Sequence, residues 1–238
     1  MFDLIGRENR IFEVLEKLSK SGLDFVIIGG YAVSAFKHRF SVDADVVIRS
    51  EDKEKFESVL RENGFVKTIV KELDYVYAQE FIRYETRDKL PVSIDLLIGG
   101  AGSRTTNASF SFQRLKEHSK KRKIIGAEKE VSVLVPDREI LIVLKLHSGR
   151  LTDLRDIAAL TKNIDLNLIN EFIWQGKTEI IKNNIKKMVS LLDDKGFIDS
   201  FKGVFVEKRY DIDVNEIKKL GKLLEKRTEK HLIKLRDE

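Results

Sequence analysis

Apolar and polar residues follow two rhythms along this chain, short alternating or all-apolar runs in the first part and helical spacing in the second. In residues 9–20, Ile11, Phe12, Leu15 and Leu18 recur at three- and four-residue intervals and Ser21-Gly22 ends the run, which predicts a helix. Phe25-Val26-Ile27-Ile28 is all apolar, ends in Gly29-Gly30, and leads into residues 31–36, which lack strand alternation. That segment reads as strand, glycine turn and helix. Residues 42–48 read as a strand, and residues 53–63 as an amphipathic helix with Phe56, Val59 and Leu60 inward and Gly64 as its stop. Residues 65–77, 81–84 and 92–98 are further strand candidates, and 123–126 with 130–135 read as one more hairpin before Pro136.

From Asp137 the period changes. Ile140, Leu141, Val143, Leu144 and Leu146, then Leu154, Ile157, Ala158 and Leu160, fall at helical spacing, and a long amphipathic segment carries Ile217, Leu220, Leu223, Leu224 and Ile233. Residues 99–107, GGAGSRTTN, read as a flexible loop by composition. The expected fold class is α/β (α+β), with a core over residues 1–135 and a helical region over 136–238.

Composition narrows the chemistry. The 238 residues contain no Cys, which excludes thiol catalysis, zinc–thiolate sites and iron–sulfur clusters and makes the cytoplasm the expected compartment. The N-terminal residues carry charge early and lack a long apolar stretch, so neither secretion nor membrane insertion is expected. The net charge of +5 comes from 44 basic and 39 acidic residues. Within 114–123 stand Arg114, Lys116, Lys120, Lys121, Arg122 and Lys123 against Glu117 alone, so the surplus is concentrated. That run reads either as a surface for polynucleotide phosphates or as a solvated helix end and turn.

The acidic residues carry the sharper signal. Asp43 and Asp45 are two residues apart in Ser41-Val42-Asp43-Ala44-Asp45-Val46-Val47-Ile48, so a strand points both carboxylates to one face and Val42, Ala44, Val46 and Ile48 to the other. Adjacent like charges need solvent, a proton or a cation, and a divalent metal resolves the repulsion. Asp95 is the only acid in Pro91-Val92-Ser93-Ile94-Asp95-Leu96-Leu97-Ile98. The plainer reading of an isolated Asp-x-Asp is a solvated strand end, and a lone Gly-Gly is equally common. His38, His118, His147 and His231 show no metal-ligand spacing and read as structural or surface residues. Tyr75, Tyr77 and Tyr84 read as base-stacking or core positions.

Taken together, Ile28-Gly29-Gly30-Tyr31-Ala32, Arg39-Phe40-Ser41-Val42-Asp43-Ala44-Asp45 and Ile94-Asp95 resemble the nucleotidyltransferase superfamily pattern hG[GS], Dx[DE], h[DE]. The Arg-x-Ser-x-Asp-x-Asp form and Leu144-Lys145-Leu146-His147-Ser148-Gly149-Arg150-Leu151-Thr152-Asp153-Leu154-Arg155-Asp156 look like the AbiEii/MenT-like branch. The resemblance covers roughly residues 24–160. It implies a polymerase-beta-like palm: a mixed sheet flanked by helices and carrying the carboxylates, a nucleotide over the glycine pair, and a helical C-terminal region closing the cleft.

Residue by residue, the resemblance implies Asp43, Asp45 and Asp95 as catalytic and metal-ligating groups. It implies Gly29, Gly30, Arg39 and Lys145 as nucleotide contacts, with Mg²⁺ or Mn²⁺ as cofactor and an NTP as substrate. The expected activity moves an NMP from the NTP to an acceptor hydroxyl. The acceptor expected is RNA, including tRNA, reached through the basic run, with small molecules and proteins as alternatives. A toxin-like use held in check by an antitoxin protein is a further expectation, and a catalytically silent nucleotide- or RNA-binding module is the alternative to an enzyme.

Overall fold

The computed structural model describes residues 2–200 and 213–237, with side chains described for these except 2, 3, 198 and 227–237. His231 and Ile233, named above, lie outside the described side chains. The chain forms two compact units, the first from Met1–Gly102 and Ser109–Asp137, the second from Ser103–Ala108 and Arg138–Glu238.

The first unit is built on a seven-stranded mixed sheet. Its strands are β1 (Phe25–Ile28), β2 (Asp43–Ile48), β3 (Phe65–Glu72), β4 (Glu80–Thr86), β5 (Ser93–Ile98), β8 (Ser119–Ile125) and β9 (Glu130–Pro136), in the order β3-β4-β5-β2-β1-β9-β8. The pairs β2–β5 and β1–β9 are parallel and the other four are antiparallel. The helices α1 (Phe2–Lys20), α2 (Gly29–Ser34), α3 (Lys53–Glu62) and α4 (Phe112–Glu117) flank it. The chain is therefore α/β with a mixed sheet, as its alternation of period predicts.

Strand alternation decides which side of the sheet is core. Ala44, Val46 and Ile48 of β2, Ile94, Leu96 and Ile98 of β5, and Ile82 and Tyr84 of β4 all lie within 3% exposure of complete burial. They share one face, because residues directly paired across strands point the same way. Helix α3 covers that face: Phe56 meets Phe25 of β1 edge to face at 5.9 Å, and Glu57 takes Lys67 of β3 at 2.8 Å. Tyr84 is a core residue, since its strand position turns it away from the carboxylates.

Three local readings change. The strand expected over 65–77 ends at Glu72: the chain reverses through residues 73–79, closed by the Leu73 N–H on the Gln79 carbonyl at 2.8 Å, into β4, which contains the strand expected over 81–84. The apolar residues of the reversal continue the strand rhythm and hide the turn. The glycine-rich stretch after Ile98 is ordered: β6 (Gly100–Gly102) pairs antiparallel with β7 (Ser109–Ser111). A side chain on Gly100 would overlap the Phe110 carbonyl, so this composition permits two backbones to approach and does not loosen them. Strand β8 begins at Ser119, within the basic run, where Ser-Lys-Lys-Arg carries no apolar signal. It is an edge strand, and lysines at an edge deter pairing with other chains.

In the second unit, α5 (Arg138–Ser148) packs on α6 (Leu151–Leu160), α7 (Leu166–Ile173) and α8 (Thr178–Leu191). Helix α8 packs on α10 (Val214–Asp237), and α9 (Lys195–Ser200) lies between them in sequence. Ile217, Leu220 and Leu224 of α10 are buried, the intrachain use of that amphipathic face. Residues 103–108 are tied in by the Ser103 hydroxyl on the His147 carbonyl at 2.9 Å and by Thr106 Oγ1 to His147 Nδ1 at 2.7 Å. His147 is fully buried, and desolvation pulls its pKa down to about 4. No helix among the described residues is long and apolar enough to cross a membrane.

Candidate functional site

The face of the sheet opposite α3 carries the charges. Asp45 of β2 is the register partner of Asp95 on β5, and Asp95 is the partner of Arg83 on β4. One step toward the end of the sheet, Asp43 pairs with Ser93 and Ser93 with Glu85. Two adjacent rows across three strands thus present Asp43, Asp45, Asp95, Glu85 and Arg83 on one face. Asp43 and Asp45 are half-buried, and Asp95 is only 3% exposed.

Strand β1 ends at this same end of the sheet, because Ile28 pairs with Asp45. The chain then turns through Gly29 at φ +68°, the left-handed region that favours glycine. A Cβ on Gly29 would overlap the Asp45 carboxylate, and one on Gly30 would stand 2.8 Å from the Ser41 hydroxyl and 2.9 Å from the Arg39 guanidinium. The glycine pair is therefore required twice over: the backbone conformation needs it at Gly29, and the close approach of Asp45, Ser41 and Arg39 needs it at both positions. Gly29 is half-buried and Gly30 buried against these side chains.

Hydrogen bonds hold the carboxylates in place. The Ser41 hydroxyl donates to Asp43 Oδ1 at 2.8 Å, and the Ser41 carbonyl accepts from the buried Tyr31 hydroxyl at 2.8 Å. Tyr31 packs edge to face on Phe12 at 5.7 Å, and burial, then the charges of Glu8 and Asp43, raise its pKa. Its place after the glycine pair is a core anchor for Ser41. The Ser34 hydroxyl donates to the Gly30 and Arg39 carbonyls, closing the loop between α2 and β2.

Arg83 grips Asp95 with both prongs, Nε to Oδ1 and Nη2 to Oδ2, each at 2.7 Å. Burial pushes the Asp95 carboxyl up, against the lowering pull of Arg83, and the hydrogen bond to Asp95 holds the Arg83 guanidinium above its ordinary value. Arg83 and Glu85 escape a reading that looks for isolated acids. Their signal was present: Arg83 and Glu85 alternate with the buried Ile82, Tyr84 and Thr86, as Asp43 and Asp45 alternate with Ala44 and Val46 in β2.

Asp43, Asp45 and Asp95 thus come together with Gly29, Gly30 and Arg39 at one end of one face. Lys145 stands in the second unit, where its ammonium lies 3.0 Å from Asp153 Oδ1 and 2.7 Å from Asp156 Oδ2. Among the described residues no three acidic or histidine side chains are placed to hold a metal ion. Asp43 and Asp45 offer two hard oxygen donors, and Mg²⁺ takes one or two carboxylates together with substrate phosphates and water. The donor set fits such a cation once a triphosphate is present.

The basic run divides between α4 and β8. Lys116 pairs with Asp24 at 2.6 Å, Lys120 and Arg122 with Asp137 at 3.3 and 2.8 Å, and Lys123 with Glu130 at 2.6 Å. Arg122 also lies over the Phe36 ring at 4.7 Å. The surplus available to a polynucleotide is smaller than the composition of the run indicates.

A family described as a nucleotidyltransferase of unknown function (DUF6036) matches residues 7–195. Among solved structures, a candidate nucleotidyltransferase from Helicobacter pylori is similar at 16% identity, over 96% of this chain and 97% of its own, with a TM-score of 0.50. JHP933 from Helicobacter pylori is similar at 17% identity over 99% and 97%, with a TM-score of 0.49. The antibiotic-resistance factor ANT(2'')-Ia is similar at 15% identity over 69% and 88%, with a TM-score of 0.48. No curated protein matches the chain.

Proposed function

From the premise that this chain belongs to the nucleotidyltransferase family DUF6036 and is a transferase, we propose that it moves an NMP from an NTP to an acceptor hydroxyl and releases pyrophosphate, with Asp43, Asp45 and Asp95 as its acidic centre. The observation that carries this reading is the packing of the Gly29 backbone against the Asp45 carboxylate, with Asp95 in register beside it. That contact joins the glycine turn to the acids that serve transfer.

In the reaction the acceptor oxygen forms a bond to the α-phosphorus while the bond from that phosphorus to the α–β bridging oxygen breaks. The bridging oxygen keeps the electron pair and leaves as pyrophosphate, and the hydroxyl proton passes to the acidic centre or through it to water. Little covalent chemistry falls to the protein, so positioning and charge compensation carry the rate. Mg²⁺ or Mn²⁺ held by Asp43 and Asp45 would neutralise the triphosphate and polarise the α-phosphate. Gly29 and Gly30 admit the phosphates to the backbone, Ser41 fixes the rotamer of Asp43, and Arg39 beside Gly30 offers a permanent cation to the triphosphate. Asp95 serves the acceptor side.

RNA, including tRNA, is the acceptor class to test first, within a reading of the chain as an AbiEii/MenT-like enzyme with a toxin-like use and an antitoxin partner. The support is the motif set and the run at 114–123, reduced by the ion pairs just described. RNA binding through that run is therefore expected to weaken only shallowly with salt, with a log–log slope of roughly −0.7 for each contact on single strands.

The test incubates the purified chain with each of the four α-labelled NTPs, Mg²⁺ or Mn²⁺ and total RNA, beside the Asp43→Asn/Asp45→Asn double variant. Label on RNA from the wild type alone establishes transfer and names the base. Label carried onto an added small-molecule or protein acceptor and not onto RNA moves the acceptor and keeps the chemistry. Metal-dependent NTP binding without any transfer is the behaviour of a silent binding module and overturns the reading. Growth arrest on expression of the wild type but not of the double variant tests the toxin-like use.

A further inference from the structure

Resting on the nucleotidyl-transfer reading above, we infer that Arg83 is a positioning residue of this site and the built-in counter-cation of Asp95. The exchangeable metal ion then belongs to Asp43 and Asp45 with the triphosphate, and the cation facing Asp95 is the guanidinium in place of a second metal ion.

The register sets this up. Arg83, Asp95 and Asp45 are direct partners on three adjacent strands and share one face, so the guanidinium is delivered by the sheet and not by a mobile loop. Both Asp95 oxygens are engaged at 2.7 Å in a planar fork that a lysine ammonium cannot reproduce. Asp95 is 3% exposed and the Arg83 side chain 30%, so the pair is fixed from behind while its outer edge faces the site. The Phe81 ring, two residues along on the same face, lies 5.9 Å from the guanidinium carbon and limits where it can swing.

Charge gives the reason for such a residue. Asp43, Asp45, Glu85 and Asp95 bring four formal negative charges onto two rows of the sheet, and Arg83 stands among them. Asp95, the most buried carboxylate of the four, takes both prongs of Arg83. Asp43 and Asp45 are half-buried and stand beside the glycine turn with Ser41 and Arg39. A metal bound there completes its shell from phosphate and water, which matches a described surface that offers no three-carboxylate chelate.

The experiment counts Mn²⁺ by electron paramagnetic resonance on the full chain, alone and with α,β-methylene-ATP. One Mn²⁺ per wild-type chain is expected with the nucleotide analogue. Arg83→Gln removes the guanidinium charge from Asp95, so a second Mn²⁺ or tighter Mn²⁺ binding is expected. Arg83→Lys keeps the charge without the fork. It should retain the count of one and the KM for NTP while kcat, taken per Mn²⁺-binding site so that unfolded chain is not counted, falls. Two Mn²⁺ on the wild type, or Mn²⁺ binding by Arg83→Gln unchanged in number and affinity, overturns the inference. The wild-type count stands even if Arg83→Gln fails to fold. The Asp43→Asn/Asp45→Asn variant separates the two readings: unchanged Mn²⁺ binding there defeats the nucleotidyl-transfer assignment of those residues, whereas the Arg83 results bear on the inference alone.

Discussion

Two clusters of acids and bases sit in this chain, and they are built to opposite ends. In the first unit, Asp43, Asp45, Glu85 and Asp95 outnumber Arg83 and Arg39, and the two aspartates nearest the glycine turn are half-buried. In the second unit, Lys145 and Arg150 meet Asp153 and Asp156, cation for anion, with Lys145 and both aspartates buried. The balanced cluster satisfies itself within one pair of helices. The unbalanced one keeps more acids than bases beside the glycine turn, and under the proposed function that excess is offset by a cation and a triphosphate. An acidic cluster is thus read for function by its residual charge and by what faces it, more than by the number of acids in it.

Substitution should separate the two most sharply through activity. Asp43→Asn together with Asp45→Asn is expected to lower nucleotidyl transfer by at least about 10³-fold, the scale of losing charge compensation in a transition state. The same change relieves repulsion in the apoprotein, so the thermal midpoint should hold or rise. A variant that transfers normally, or one that melts far below the wild type, would show that these aspartates serve the fold.

The balanced cluster should respond in the other direction. Lys145→Ala leaves Asp153 and Asp156 buried without their ammonium, and breaking a buried pair in this way costs about 3–5 kcal/mol. Chemical denaturation measures it. If the alanine variant keeps wild-type stability while the KM for NTP rises, Lys145 works on the nucleotide phosphates, the role that its motif resemblance implies.

Two smaller changes probe how the unbalanced site is held. Gly29→Ala forces an alanine into the left-handed region, a strain of about 1–2 kcal/mol, and also pushes its methyl into Asp45. Transfer should fall further than that strain predicts, because the carboxylate must move. Ser41→Ala removes the hydroxyl that holds Asp43 and should weaken Mn²⁺ binding by roughly 10- to 100-fold, the range seen when an orienting partner of a metal ligand is lost. Equal Mn²⁺ affinity in Ser41→Ala and wild type would assign that hydrogen bond to the loop and not to the site.

Much of this contrast is written locally in the sequence. The parity of Asp43 and Asp45 against Val46 and Ile48 fixes their common face without any knowledge of neighbours, and Gly29-Gly30 after four apolar residues marks the turn. What local pattern does not carry is the pairing between strands. Nothing in residues 80–86 says that Arg83 will stand opposite Asp95, because the order β4-β5-β2 is decided by the whole sheet. The interior of the basic run was equally hidden, since an edge strand made of Ser-Lys-Lys-Arg has no apolar rhythm. Its partners Asp24, Asp137 and Glu130 are brought to it only by folding. Lys145 shows the converse: the motif resemblance implies a nucleotide contact, and the acids that pair with it lie one helix further on.

Acid pH gives the gentlest separation of the two clusters. Burial by itself would raise the Asp153 carboxyl, but the Arg150 hydrogen bond and the Lys145 charge outweigh it and hold the group at about 2, below its ordinary 3.8. A carboxyl depressed by folding contributes stability above its unfolded value, and that contribution disappears as pH falls through the folded value. The contribution of Asp153 is therefore full near neutrality, declines from about pH 4 and is gone below about pH 2, with a size of roughly 2 kcal/mol. Asp95 runs the other way: burial raises its carboxyl against the pull of Arg83, so the sign of its contribution to the pH dependence is opposite to that of Asp153. Comparing denaturation of the wild type with Asp153→Asn between pH 6 and about pH 2 isolates the helical cluster. The difference between the two proteins should shrink toward zero as the pH drops, and a difference that stays constant across that window would remove Asp153 from the acid response of the protein.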